Sequence, residues 1–207
     1  MAVESRRSFL GACVTGLGTV GFSGLGAGQA RGDEQPARDH ASPHERMLAA
    51  VRAGDLETVR GLVETNGRLI HARDVEGRTA FALAYLHRHP DIGALLREKG
   101  YEPDLHESAL ALDWDRLDEL AQQTPGVLNQ NHPIGGSAMY AAAYGGAGGQ
   151  IWRAYQYGAE PDPMRGSRQR AALIAALQHP DLGTAELGAA VLLGNGASAN
   201  LPDHEGP

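Results

Sequence analysis

Cysteine is almost absent: the one thiol, Cys13, sits in an early glycine-rich segment, and from Arg31 onward there is none. A single thiol closes no intrachain disulfide, and a body without cysteine has neither thiol catalysis nor cysteine-ligated metal. Positive charge is also scarce, with 18 Lys and Arg against 25 Asp and Glu and a net charge of −7. An acidic body argues against nucleic acid, which needs clustered cations, and favours a protein partner with basic character. Nine histidines include no HExxH and no His-x3-His pair beside suitable carboxylates, so no metal or other cofactor is expected. The run Gly145-Gly146-Ala147-Gly148-Gly149 lacks the following Lys-Ser/Thr of a phosphate loop and reads as a connector. Ser137 has no nearby His and acid to activate it. His87, His89 and His179 read as loop histidines bonding to backbone. Nothing assembles into an active site, so the expectation is a protein that is not an enzyme.

Charge is missing altogether between Arg7 and Arg31. That stretch holds seven glycines and ends in small residues at Ala30, the layout of a cleaved export signal. Ser5-Arg6-Arg7-Ser8-Phe9-Leu10 resembles the twin-arginine signal of bacterial export. The resemblance implies export of a folded protein to the periplasm or beyond, with Arg6 and Arg7 as the signal residues. Residues 8–30 are long enough to span a membrane, but the glycine load makes a poor helix. No membrane association is therefore expected after signal removal. Loss of residues 1–30 takes away two Arg and one Glu and moves the charge from −7 to −8. Residues 31–43 are polar, with two prolines, and read as a flexible lead-in.

What the remaining residues have in abundance is repetition. Residues 100–104, 158–162 and 196–200 read GYEPD, GAEPD and GASAN. Shifting the chain by 58 residues lays Val59 on Leu117, Leu62 on Leu120, Gly77 on Gly135, Thr79 on Ser137 and Ala84 on Ala142. A shift of 90 lays His89-Pro90-Asp91 on His179-Pro180-Asp181. Each unit carries a turn, a short Ala-rich helix, a tight loop, a second amphipathic helix and a glycine stop. In the second unit Gly77 suits the turn and Thr79 caps a helix whose inward face is Phe81, Leu83 and Ala84. Pro90 and Asp91 open the next helix, Leu95 and Leu96 are its apolar face, and Gly100 ends it left-handed. Asp104 then holds the turn of the next unit.

These parts resemble the ankyrin repeat, most closely at Val191-Leu192-Leu193-Gly194-Asn195-Gly196-Ala197 and at Asp74-Val75-Glu76-Gly77-Arg78-Thr79. The resemblance implies an all-α, ankyrin-like helix-turn-helix repeat solenoid in residues 44–207, with five divergent repeats at 44–73, 74–104, 105–131, 132–162 and 163–201. It departs from the family where Ala80 and Ala82 replace the usual Pro and His, at the shortened third unit, and at the lengthened fifth. The family's working surface, carried over, comprises turn tips and exposed ends of first helices. The protein-binding candidates are Glu76, Arg78, His87, Tyr144, Arg165 and Arg168, with Val75, Leu86, Pro133, Ile134, Gly136 and Gly145 beside them. Trp114 and Trp152 are expected to pack between repeats. The implied function is a protein-recognition module in the periplasm for a protein partner, with no catalysis of its own. Alternatives are an accessory subunit of a periplasmic enzyme, or a small-ligand-binding repeat protein using a cleft at Tyr140, Tyr144 and His179. The whole expectation requires one continuous apolar seam along the stacked helix pairs.

Overall fold

A computed structural model describes residues 41–146, 148–163 and 171–199, all within the unit Asp39–Pro207. Arg6, Arg7, Cys13, Ala30, Arg165 and Arg168 lie outside the described residues, as does Asn200. The described residues contain ten α-helices and no strand: α1 Pro43–Ala53, α2 Leu56–Thr65, α3 Ala80–Leu86, α4 Pro90–Glu98, α5 Leu105–Ala111, α6 Trp114–Gln123, α7 Ala138–Gly145, α8 Gly148–Gln156, α9 Ala172–Leu177 and α10 Leu182–Gly194. Short 3-10 turns occupy Gly67–His71 and Pro125–Val127. None of the described helices is long and apolar enough to cross a membrane.

Local chemistry starts most of these helices. Side chains of Asp55, Thr79, Asp113, Ser137 and Asp181 accept from the backbone N–H three residues on, while Ser42 and Asp104 form reciprocal capping boxes with Glu45 and Glu107. Each such cap is worth about 1 kcal/mol. Helix α1 opens at Pro43, one residue ahead of the expected start of the first repeat. Pro90 is the first residue of α4, but its equivalent Pro180 precedes a helix that starts two residues later, after the Asp181 cap. The shared His-Pro-Asp words are thus read in two ways. Gly100, Gly158 and Gly196 all have positive φ, at 95°, 93° and 92°, which accounts for the recurring glycine of the three pentapeptides.

Helices pair in chain order, α1 with α2 through α9 with α10, and the first helices α1, α3, α5, α7 and α9 touch in succession. The apolar interior runs through two clusters that meet at Tyr85. One apolar cluster is built around Met47, Phe81, Leu83, Ile92 and Leu96, and a second around Leu110, Leu117, Leu128, Met139, Tyr140 and Leu192. Tyr85 packs against both clusters, while the buried polar groups of Thr79 and Glu107 meet where α3 faces α5. A departure from strict neighbour packing is that α3 and α7 touch each other across α5. The Tyr144 hydroxyl on α7 donates to the Leu86 carbonyl on α3 at 2.6 Å. With α3, α6 and α7 all packed on α5, Leu105 through Leu110 are all buried, polar His106, Glu107 and Ser108 included.

Two glycines make the packing testable. A Cβ on Gly145 would clash with the carbonyl oxygen of Leu110, where α7 closes on α5, whereas one on Gly61, within α2, would meet nothing within 4 Å. Gly145→Ala is expected to cost about 2 kcal/mol in urea unfolding by overpacking. Gly61→Ala is expected to add about 0.5–1 kcal/mol by raising helix propensity. Equal effects of the two would contradict this packing.

Candidate functional site

The turn before α3 presents the first group of candidate residues. Asp74 organises it: one carboxylate oxygen accepts from the backbone N–H groups of Glu76 and Arg78 at 3.0 Å, and the other from Arg78 Nε at 2.8 Å and from Arg52 at 3.0 Å. Burial pushes the Asp74 pKa upward, but these hydrogen bonds outweigh it and hold the carboxyl below its usual range. Arg78 also pairs with Glu76 at 3.0 Å. Gly77, at φ 82°, lets the turn close against Pro133 of the turn before α7.

Beneath these turns lies a buried polar network. The Glu107 carboxylate, 1 % exposed, accepts from Thr79 Oγ1, from Tyr101 Oη at 2.8 Å and from the Asp104 backbone N–H at 3.1 Å. Burial and then the neighbouring Asp104 charge push its pKa up, against those hydrogen bonds. On the other side, His106 donates through Nε2 to the Gln130 carbonyl at 3.1 Å and stacks on His132 with ring centroids 4.8 Å apart. His132 donates from Nε2 to Asp104 at 2.9 Å and accepts at Nδ1 from the Ile134 N–H. The Thr79–Glu107, His106–Gln130 and His132–Asp104 bonds each join two segments, so the network fixes the turns at 74–79 and 132–136 relative to α5.

Between the two turns and the ends of α3 and α7 opens a cleft of about 330 Å³ lined by Glu76, Arg78, Leu86, His87, Pro133, Ile134, Gly135 and Tyr144. Four of the six candidates from the sequence, Glu76, Arg78, His87 and Tyr144, are therefore brought together; the other two, Arg165 and Arg168, are among the residues not described. Partial burial, followed by the positive charges of Arg52, His89 and Arg78, lowers the His87 pKa. Its imidazole is neutral at pH 7 and offers both a donor and an acceptor. The cleft walls are close to charge-balanced, since Asp74, Glu76, Arg52 and Arg78 neutralise one another.

Several expectations need correction. Ile134 is 3 % exposed and serves as cleft floor rather than as a free tip, and Gly136 is buried under the Tyr140 side chain. Tyr140 is itself 2 % exposed, so the alternative cleft at Tyr140, Tyr144 and His179 does not form as a surface. His179 instead sits before α10, accepting at Nδ1 from the Asp181 N–H. Trp114 packs against the second apolar cluster, as anticipated, with the Arg153 guanidinium 5.6 Å from its ring. Trp152 does not pack between repeats: it is 48 % exposed and stacks on Tyr155 along the outer face of α8, because Ile151 and Ala154 take the inward positions.

Sequence reasoning missed a second recess, of about 390 Å³, beside Arg88. Its lining is Tyr85, Arg88, Pro90, Leu110, Ala111, Leu112 and Gly145. Arg88 and Leu112 are the two non-glycine residues with positive φ among the described residues, at 63° and 60°. Each stands just before the residue that caps a second helix, where the first pair has Gly54 at φ 74°. A left-handed non-glycine residue costs about 1–2 kcal/mol. The Arg88 guanidinium lies 4.5 Å from the Tyr144 ring centroid and forms no ion pair with any described residue. The only sequence signal was Arg88 and Leu112 standing where Gly54 stands in the first unit. No protein-family model and no curated protein matches the chain.

Proposed function

We propose that this chain is a protein-recognition module, an ankyrin-like stack of helix pairs exported through its twin-arginine segment, with no catalysis of its own. The observation that carries the reading is the cleft in which Glu76, Arg78, His87 and Tyr144 converge from two turns and two helix ends. Aromatic and Arg side chains with a neutral His, on a rigid floor, are the chemistry that protein interfaces favour. The capped helix pairs in chain order support the ankyrin-like reading, while the direct α3 to α7 contact is a departure from it. The Arg6-Arg7 words and the following uncharged stretch support export to the periplasm. The acidic charge supports a partner with basic character.

The test places a photo-crosslinking amino acid at His87 or, as control, at Glu57, which is exposed on α2. In an envelope extract the chain labelled at position 87 is expected to trap a defined partner that the chain labelled at position 57 does not. Identical products from both positions would sink the assignment of this surface. Adding Tyr144→Ala to the position-87 chain is expected to reduce trapping at least fivefold, since an aromatic anchor in such a cleft is worth about 1–2 kcal/mol or more.

A further inference from the structure

We propose that the recess beside Arg88 binds an apolar group that carries a carboxylate, and that its occupant is the C-terminal residue of a partner protein. The identity of the occupant rests on the protein-recognition reading above; the chemistry of the recess stands apart from it. The recess is small for a ligand site, about 390 Å³ against a common range of roughly 300–1,000 Å³, and holds one or two side chains. Tyr85, Pro90, Leu110 and Leu112 make its wall mainly apolar.

One charge stands at its mouth. Arg88 is exposed, has no ion-pair partner among the described residues, and is held over the Tyr144 ring. The ring is held in turn by the bond from its hydroxyl to the Leu86 carbonyl. A guanidinium in that position matches a carboxylate with two parallel hydrogen bonds. The chain as a whole is acidic, so an anion meets Arg88 as a local positive point in a repulsive surround. A phosphate, which a guanidinium matches equally well, brings no apolar group for the rest of the recess. An Asp or Glu side chain brings a carboxylate without an apolar group. Only a chain terminus presents an apolar side chain and a carboxylate within a single residue.

The backbone adds an independent reason. Gly54 makes the same left-handed turn in the first helix pair without a side chain. At the two later turns the chain carries Arg88 and Leu112, and both side chains line this recess. Strained positions of this kind gather at ligand sites.

The experiment uses the full chain and fluorescein-labelled pools of random octapeptides ending in Leu, prepared as free acid and as C-terminal amide, with 4-methylpentanoate as competitor. Fluorescence anisotropy is expected to give binding of the acid pool at least tenfold tighter than the amide pool. Arg88→Gly is expected to abolish that preference while the thermal midpoint stays level or rises, because the backbone strain is relieved. Equal binding of acid and amide, binding unchanged in Arg88→Gly, or no binding of either pool would overturn the proposal. Binding of 4-methylpentanoate with no binding of the peptides would keep the chemistry and overturn the occupant. Partner trapping from position 87 reads the neighbouring cleft separately, so its survival alongside failure here would leave the protein-recognition reading standing.

Discussion

Glu107→Ala is expected to destabilise the fold by about 3 kcal/mol, measured by urea unfolding at pH 7, one of the two largest effects expected of this chain. The carboxylate is buried and is the shared acceptor for Thr79, Tyr101 and the Asp104 backbone. Removing it leaves buried donors without acceptors, each costing about 1–3 kcal/mol. It also removes half of the capping box that starts α5. Glu107→Gln keeps the shape and one acceptor, and about half of the loss is expected. Glu98, exposed on α4, is the control, with a change within about 0.5 kcal/mol. Equal midpoints for Glu107→Ala and Glu98→Ala would show that the network contributes nothing.

Acid sensitivity centred on His106 is the second large effect. Burial first, and then the neighbouring His132, push its pKa from 6.5 down to about 4, against the pull of Asp104 and the Gln130 carbonyl. The unfolded chain therefore takes up a proton at a pH where the folded chain does not. Stability is complete above pH 6.5 and is lost as pH falls toward 4. For one site with these values the loss at pH 5 is about 2 kcal/mol relative to pH 8. Glu107 acts with the opposite sign: its raised pKa favours the folded state most at low pH, and that contribution fades as pH rises through its folded value. The carboxylates held below their usual range, Asp74 and Asp104 among them, also lose stability as pH falls, so a difference measurement is required to isolate His106. Gln at position 106 can donate to the Gln130 carbonyl but does not titrate. The stability advantage of the native chain over His106→Gln is expected to shrink by about 2 kcal/mol between pH 8 and pH 5. A difference constant across that range would mean that His106 is not held neutral by burial.

Both effects arise at a junction that periodicity cannot reveal. Asp104 was legible as a turn residue and Thr79 as a cap, because a cap lies three residues from the N–H that it serves. Glu107 was not legible. Its capping-box spacing is visible in Asp104-x-x-Glu107, but its burial follows from Thr79, which lies 28 residues earlier. The same distinction separates the two surfaces. Glu76 and His87 could be named as turn tip and helix end, whereas Arg88 becomes notable only when its left-handed backbone and its position over Tyr144, 56 residues later, are seen. Trp152 was misassigned because an aromatic residue beside Ile151 fits either face of a helix until the packing of α8 decides which side is inward.

The order of amino acids by itself determined the helix pairs, their caps and their glycine stops. These depend on hydrogen bonds and dihedral preferences within a few residues, and the chain spells such terms directly. Only the tertiary structure decided that α3 reaches α7 across α5, that polar side chains enter the apolar interior, and that a charged recess opens beside Arg88. Those features depend on which groups meet across 28 to 58 residues of chain, and the exclusion of water at these meetings has no local signature.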